Sequence, residues 1–254
     1  MRFIATADTD VGLTKDINQD SLLLKHAKAN EKEILMAIIC DGMGGLALGE
    51  LASATVIRAF SEWFDKELPY EMKQLDMQVI AEKWTLLLKE LNLKILDFSK
   101  SIKGQGIGTT FTGLLIIDEQ YLIVHVGDTR VYQIGHAVQQ LTTDQTFVAR
   151  EISRGTMTLE QAKKDKRRNM LLQCVGASKV VEPEILFGKT QRGIYMLCSD
   201  GFRHEITEQE MCQSLNSEML IDKNKMHMNA KRLIDLVKSR KEKDNISVVL
   251  IKAE

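Results

Sequence analysis

Four aspartates stand at the ends of apolar segments, where a carboxylate is costly to bury unless it is paired or bound to a cation. Asp41, Asp128 and Asp200 each close an apolar run, and Asp244 opens the last one. Each pattern is weak when taken singly, because Asp-Gly after a strand is also a common hairpin turn. Together the four suggest strand ends that converge on one place. Carboxylate oxygens suit Mg²⁺ or Mn²⁺, so the predicted chemistry is that of a divalent metal site.

The clearest of these segments surrounds Asp41. The run 34–40 before it is short and wholly apolar, which favours a buried strand over a helix. Three glycines follow, Gly42, Gly44 and Gly45, and they permit backbone approaches that a side chain would block. We therefore expect Asp41 where a strand ends and the backbone lies close to another group.

Six short motifs that include these aspartates follow one another along the chain. They are Asp10-Val11-Gly12 through Asn18-Gln19-Asp20, Asp41-Gly42-Met43-Gly44-Gly45, Gly106-Ile107-Gly108-Thr109-Thr110, Val126-Gly127-Asp128-Thr129-Arg130, Leu197-Cys198-Ser199-Asp200-Gly201 and Asp244-Asn245-Ile246-Ser247. In this order they resemble the motifs of the metal-dependent serine/threonine protein phosphatases of type 2C (the PPM family), in their compact bacterial form. One motif would be a weak signal, whereas six in order are a strong one that covers essentially the whole chain.

The resemblance implies how the aspartates bind metal. Asp41 would bridge two divalent ions, either Mn²⁺ or Mg²⁺, and the Gly42 backbone carbonyl would bind one of them. Asp200 and Asp244 would complete the protein ligands of the other ion. Asp128 matches a residue that contributes to a third, weaker metal site in bacterial members of the family.

The turn before Asp20 contains departures from the family pattern. Asp20 matches an acid that holds metal-bound water, but the neighbour that is often Glu is Gln19 here. The residue that binds the substrate phosphate is usually Arg, and Lys15 takes that place. Because Lys is a point charge whereas Arg offers a bidentate fork, we expect the departure to affect phosphate affinity but not the reaction class.

The resemblance also implies a mechanism in which Asp20, Asp41, Asp200 and Asp244 are the catalytic residues. Crowded carboxylates would each hold a proton, and two bound cations remove that penalty. The cations also make a water molecule a better nucleophile and offset charge on the phosphoryl oxygens. That water attacks phosphorus in line with the leaving serine or threonine oxygen, without a phosphoenzyme. Met43 stands where many eukaryotic members have a proton-donating His, so we expect water bound in the site to protonate the leaving oxygen.

Periodicity indicates the elements that position these residues. Apolar segments joined by short turns predict antiparallel strands, and helical spacing predicts two long and two shorter helices. Their order along the chain favours an α+β fold, and the resemblance implies two stacked antiparallel β-sheets flanked by helices, an αββα sandwich. The predicted strands cover 2–10, 21–27, 34–40, 110–117, 121–126, 130–134, 137–141, 193–199 and 244–251, and the predicted helices 46–66, 74–102, 207–216 and 226–240.

Residues 1–254 are expected to form a single phosphatase domain with a mobile flap around 145–170. Gln145 stands where the family often has His. The segment also carries a basic cluster that ends in Arg167 and Arg168. Two interpretations of this cluster stay open: the basic residues dock phosphoprotein substrates, or they belong to a solvated helical segment.

Composition limits the partners. The net charge of −1 gives no electrostatic reason to expect nucleic acid or an anionic membrane as a partner. No apolar run approaches the length of a membrane span, so we expect a cytoplasmic monomer. The four cysteines lack Cys-x-x-Cys spacing and are expected to be reduced and buried. The five histidines, including His204, are scattered and are interpreted as structural, with no zinc site.

Phosphorylated Ser/Thr proteins, a Ser/Thr kinase and that kinase's substrates are the partners that the resemblance implies. Two other functions stay open. One is a non-catalytic pseudophosphatase that binds phosphoproteins, which the intact set of metal ligands disfavours. The other is a dedicated phosphatase of a regulator of the anti-sigma antagonist type, for which an appended sensor segment would be the mark.

Overall fold

A computed structural model describes residues 1–29, 31–44, 48–101 and 106–254. Within them, the strands are β1 Phe3–Asp10, β2 Ser21–Ala29, β3 Lys32–Cys40, β4 Gly42–Met43, β5 Gly108–Thr109, β6 Phe111–Ile117, β7 Gln120–Val126, β8 Arg130–Ile134, β9 Val138–Gln140, β10 Glu184–Lys189, β11 Gly193–Cys198 and β12 Ile246–Ala253. The helices are α1 Gly49–Lys66, α2 Leu68–Glu71, α3 Met77–Ser101, α4 Phe147–Ser153, α5 Leu159–Lys164, α6 Asp200–Arg203, α7 Glu208–Ser214 and α8 Lys223–Ser239.

Two five-stranded antiparallel sheets form the centre of the molecule. Sheet one has the strand order β1-β12-β11-β8-β9, and sheet two has the order β10-β7-β6-β3-β2. The short strands β4 and β5 form a separate pair. In β3, Met36 and Ile38 face helices α1 and α3, whereas Leu35 and Ala37 face sheet one. Because both faces of this strand are covered, its sequence is continuously apolar.

The molecule has four layers, in the order helices, sheet two, sheet one and helices, and a hydrophobic cluster lies between each pair of neighbouring layers. One lies between sheet two and helices α1 and α3, where Phe60 and Trp84 meet edge to face with ring centroids 5.1 Å apart. A second, which includes Tyr195, fills the space between the sheets. A third packs α8 and the shorter helices on the outer face of sheet one. The predicted α+β class, with two stacked antiparallel sheets flanked by helices, is confirmed.

Strand β10 was not predicted. Among the strands that the structure describes, it pairs only with β7 at the edge of sheet two, and its residues are half-buried or exposed. An edge strand that buries little surface needs no apolar run, so its sequence gives little signal. Pro69 lies in the first turn of α2, directly after the first long helix ends, where its missing N–H costs no hydrogen bond.

Some predicted features fall outside the described residues. These are the proposed start of the first helix at 46–47, Gly45, the end of the second helix at 102, and part of the glycine-rich segment 103–105. Cys40, Cys174 and Cys198 are free and buried as expected, whereas Cys212 is partly exposed. Over the ranges that the structure describes, none of the helices combines the length and the apolarity needed to cross a bilayer.

A buried asparagine connects the helical layer to the loop that supports β5. Asn92, on the inner face of α3, is 2% exposed. Its Nδ2 donates to the Ser178 carbonyl at 2.9 Å, and its Oδ1 accepts from the Gly176 N–H at 2.7 Å. The same loop exchanges two backbone hydrogen bonds of 2.9 Å between Val175 and Thr109. The position of Thr109 therefore depends on α3 through this loop.

We expect Asn92→Leu to lower the free energy of unfolding by about 2–4 kcal/mol, because two buried backbone groups lose their partners. Urea denaturation with an unchanged m-value would measure the loss. Leu93→Ala, on the exposed face of the same helix, is the control and should change stability by less than about 1 kcal/mol. Equal effects of the two changes would contradict the role given to Asn92.

Candidate active site

Asp41 stands where β3 ends, and its backbone is held on both sides. Its N–H donates to Thr110 Oγ1 at 2.8 Å. Its carbonyl accepts from the Thr110 N–H and from Thr109 Oγ1, each at 2.9 Å. Asp41 retains some exposed surface, yet dense protein surrounds its carboxylate. Burial, followed by the neighbouring charge of Asp20, raises the pKa of Asp41 well above its ordinary value.

Gly42 allows three segments to meet behind Asp41. The Gly42 N–H donates to the Gln19 carbonyl at 3.2 Å. A Cβ at Gly42 would stand 2.3 Å from the Gly49 carbonyl oxygen, and a Cβ at Gly49 would stand 2.7 Å from the Gly42 carbonyl carbon. The start of α1 can therefore approach the strand end only because both residues are glycine. The sequence analysis attached a role to Gly42 but missed Gly49.

Asp20 and Asp200 bring further carboxylates to the same place. Both are buried, and among the described residues both oxygens of Asp20 and Oδ1 of Asp200 have no hydrogen-bond partner. The Ser199 and Ser247 hydroxyls lie near Asp20, but neither makes a hydrogen bond of acceptable geometry with it. Burial and the charge of Asp200 raise the pKa of Asp20 to about 7. Buried carboxylate oxygens without partners are what a bound cation or its water would satisfy.

Asp244 and Lys15 lie at the rim of this acidic cluster. Lys15 Nζ is 3.0 Å from Asp244 Oδ1, and both side chains are about two-fifths exposed, at 42% and 37%. Burial alone would lower the pKa of Lys15, but the Asp244 contact and the charges of Asp41 and Asp200 outweigh it and raise that pKa. Lys15 therefore faces the acids and remains accessible from outside.

The donor set fits divalent cations that keep much of their water. Asp20, Asp41, Asp128, Asp200 and Asp244 are close enough for the other four charges to raise the pKa of Asp41. Within the described ranges, no three His, Cys, Asp or Glu side chains form a complete metal-binding group. Mg²⁺ is commonly held by one or two carboxylates together with water, and this cluster of oxygen donors suits such binding. The structure thus brings together all five predicted acids.

Asn245 fastens the loop that carries Lys15, a role that the sequence analysis missed. Its Oδ1 accepts from the Gln19 N–H at 2.9 Å. Its Nδ2 donates to the carbonyls of Val11 and Ile17 at 2.8 and 3.2 Å. Asn245 is 4% exposed, so these hydrogen bonds are shielded from water. A polar residue directly before a buried strand was the available signal.

His204 and Glu242 form a second support that the sequence analysis did not identify. His204 was predicted to be structural, and its Nε2 lies 3.8 Å from Asp200 Oδ2 and its Nδ1 3.6 Å from Glu242 Oε2. Glu242 Oε1 also accepts from the Asp244 N–H at 3.0 Å. Burial would raise the pKa of Glu242, but His204 and hydrogen bonds from backbone N–H groups, including that of Asp244, lower it to about 2. The pair therefore joins the segments that carry two of the acids.

Asp128 lies beside arginines as well as acids. Its pKa is raised to about 7 by burial and by the charge of Asp200, against the opposing effect of Arg203. Arg203 Nη2 is 3.7 Å from Asp128 Oδ2. The turn itself is held by Gln145. Its side-chain Oε1 accepts from the Gly127 N–H at 2.9 Å, and its backbone N–H donates to the Gly127 carbonyl at 2.7 Å. Gln145 thus has a structural contact where the family often has His.

The proposed flap contains α4 and α5 and an internal stack. The Phe147 ring has the guanidinium of Arg167 at 4.0 Å and that of Arg150 at 5.3 Å from its centroid. Arg167 also pairs with Asp165, with Nη2 and Oδ2 2.9 Å apart. Arg167 therefore makes its contacts within the segment. Arg168, in contrast, is exposed and has no ion-pair partner among the described residues. The cluster is less free to dock substrates than its sequence suggests.

Comparison with known proteins agrees with this geometry. Residues 14–238 match the family described as protein phosphatase 2C. The chain is 29% identical to the serine/threonine phosphatase stp of Listeria monocytogenes over 97% of this chain and 94% of that one. The structure of the S. agalactiae serine/threonine phosphatase superposes with a TM-score of 0.87 at 25% identity, covering 100% of both chains.

A third relative bears on the metal. The catalytic domain of the serine/threonine protein phosphatase PstP, in complex with two manganese ions, superposes with a TM-score of 0.77 at 26% identity. The match covers 98% of this chain and 97% of that one. With most of its length matching the family and both sheets superposing on solved members, the chain belongs to the protein phosphatase 2C family.

Proposed function

We propose that this chain hydrolyses phosphoserine and phosphothreonine in proteins with the help of divalent cations. The observation that carries the proposal is the cluster of buried carboxylates, with three oxygens of Asp20 and Asp200 lacking partners and Lys15 at the open rim. Membership of the family and relatives that are serine/threonine phosphatases support the same reaction. The manganese-bound relative supports Mn²⁺, and the oxygen donors suit Mg²⁺ equally.

In the mechanism that we propose, two divalent ions would be held by Asp41, Asp200, Asp244 and the Gly42 carbonyl. Such ions supply Lewis acidity and a more acidic water molecule. Asp20 accepts a hydrogen bond from water at the floor of the site, because its oxygens have no protein partner. Hydrolysis proceeds by direct attack of water on phosphorus, and no residue becomes phosphorylated.

At the rim of the site, the substrate phosphate replaces Asp244 as the ion-pair partner of Lys15. A lysine ammonium that already faces the acids needs little movement to contact an incoming phosphate. Met43 follows the Asp41-Gly42 pair and has no proton to give, so water bound in the site protonates the leaving oxygen.

The partners that follow from this function are phosphorylated Ser/Thr proteins and an opposing Ser/Thr kinase. We propose a cytoplasmic monomer with one phosphatase domain over 1–254 and a flap around 145–170 that contacts the phosphoprotein. Of the two arginines that end the basic cluster, the exposed Arg168 is better placed for such contact, since Arg167 is held by Phe147 and Asp165.

Hydrolysis of p-nitrophenyl phosphate and of a phosphothreonine peptide should require added Mn²⁺ or Mg²⁺ and should stop with EDTA. Asp200→Asn should lower kcat/KM by at least about a thousandfold, because ions that it helps to hold supply several kcal/mol of transition-state stabilisation. Asp235→Asn, at an exposed position on α8, is the control and should retain activity. A folded protein that binds phosphopeptide but turns over neither substrate with any divalent ion would favour the pseudophosphatase.

The raised pKa of Asp20 makes the stability of the metal-free protein depend on pH. Folded Asp20 keeps its proton up to about pH 7, whereas an aspartate in the unfolded chain loses it near pH 4. The free energy of unfolding should therefore fall as pH rises from about 4 to about 7. An asparagine at position 20 does not ionise, so Asp20→Asn avoids this loss of stability. In EDTA at pH 8 it should be more stable than wild type by about 2–4 kcal/mol.

Urea denaturation in EDTA at pH 4.5 and pH 8 would measure this difference. The gap between Asp20→Asn and wild type should be small at pH 4.5 and should open at pH 8. Asp235→Asn should show no such change between the two pH values. A constant gap would mean that Asp20 does not hold a proton in the folded protein.

Lys15→Met should raise KM for the phosphothreonine peptide by about tenfold, with a smaller change in kcat, because a charge-assisted contact to phosphate is lost. Lys15→Arg keeps the charge and adds a fork, so its KM should equal or fall below that of wild type. Steady-state kinetics at saturating Mn²⁺ would separate the two constants. If Lys15→Met leaves KM unchanged, the contact of Lys15 with Asp244 is its only role.

A further inference from the structure

Arg203 is a nearly buried cation beside the carboxylate that the family resemblance connects with a third ion. Its side chain is 12% exposed. Nη2 lies 3.7 Å from Asp128 Oδ2 and 3.6 Å from Asp144 Oδ2, and it donates to the Asp128 backbone carbonyl at 3.3 Å. Helix α6 spans Asp200–Arg203, so the turn that presents Asp200 to the other acids also fixes Arg203.

Asp144, the other carboxylate near Arg203, already has a stronger partner. Arg130 donates to both of its oxygens, from Nε at 2.7 Å and from Nη2 at 2.6 Å. Burial would raise the pKa of Asp144, but this bidentate pair and the charge of Arg203 hold it below its usual range. Because Arg130 already supplies one full positive charge to Asp144, Arg203 is a second positive charge that Asp144 and Asp128 share.

Charge is thus distributed unequally across the site. On one side, the two arginines Arg130 and Arg203 balance Asp128 and Asp144, and a guanidinium stays charged at any physiological pH. On the other side, four carboxylates have Lys15 as a near cation, and the His204 ring lies between Asp200 and Glu242. The excess negative charge that would attract divalent ions lies on this second side, and its members are Asp20, Asp41, Asp200 and Asp244.

We propose that Arg203 acts as a built-in cation at Asp128 and takes the place of a third divalent ion, so that this site holds two ions. The inference rests on the proposed metal-dependent function. An ion bound to Asp128 Oδ2 would stand no more than about 6 Å from Nη2, since a metal–oxygen bond is only about 2 Å long. Repulsion at that distance weakens binding of a third ion by more than about tenfold.

Counting Mn²⁺ bound per chain by equilibrium dialysis and elemental analysis, without substrate, tests the proposal. Wild type and Asp128→Asn should each bind two ions. Arg203→Gln, which removes the charge, should bind three, with the third at least about tenfold tighter than any third ion in wild type. The double variant Arg203→Gln/Asp128→Asn should return to two, and Arg203→Lys, which keeps the charge, should remain at two.

Two outcomes would overturn the proposal. One is a wild type that binds three ions and loses one in Asp128→Asn, a comparison that needs no change at Arg203. The other is a folded Arg203→Gln that still binds two. Failure of the underlying metal site would look different, because Asp41→Asn would then leave the number of bound ions unchanged.

Discussion

Mutual repulsion among buried carboxylates is the constraint on which this structure depends. Five aspartates approach one another closely enough to raise the pKa of Asp41, and two of them carry buried oxygens without partners. A chain that gathers like charges in its interior loses stability unless cations are supplied. The protein supplies some itself, as Lys15 at the rim and Arg203 on the far side. The remaining negative charge is what makes divalent ions the natural complement of the site.

Holding the acids in place against this repulsion requires rigid supports from both sheets. Sheet two contributes the end of β3, whose Asp41 backbone is fixed by Thr109 and Thr110. Sheet one contributes the end of β11 and the start of β12, which carry Asp200 and Asp244. Asn245 then binds the loop containing Lys15 to this edge. The site is therefore built on a seam between two sheets, and every acid is attached to a rigid element.

The sequence was informative about four of the acids because each follows or precedes an apolar strand, so chain position implied convergence, whereas Asp20 was indicated only by the family resemblance. It also indicated the α+β class, since strands and helices differ clearly in periodicity. Residues that act through hydrogen bonds were harder to identify. Glu242, His204 and Arg203 are polar residues in polar surroundings along the chain, and only folding brings them beside Asp200 and Asp128. Strand β10 was missed for the related reason that an edge strand buries little surface.

The pairing of β1 with β12 has a consequence for when the protein can fold during its synthesis. β12 lies between β1 and β11 in sheet one, and Asn245 reaches across 234 residues to the carbonyl of Val11. Contacts of such long range form late, because the intervening chain must first be ordered. During synthesis, β1 emerges early, but its strand partner β12 emerges only with residues 246–253. A chain that ends before residue 244 thus lacks both the interior strand β12 and Asp244, so its acidic cluster is incomplete.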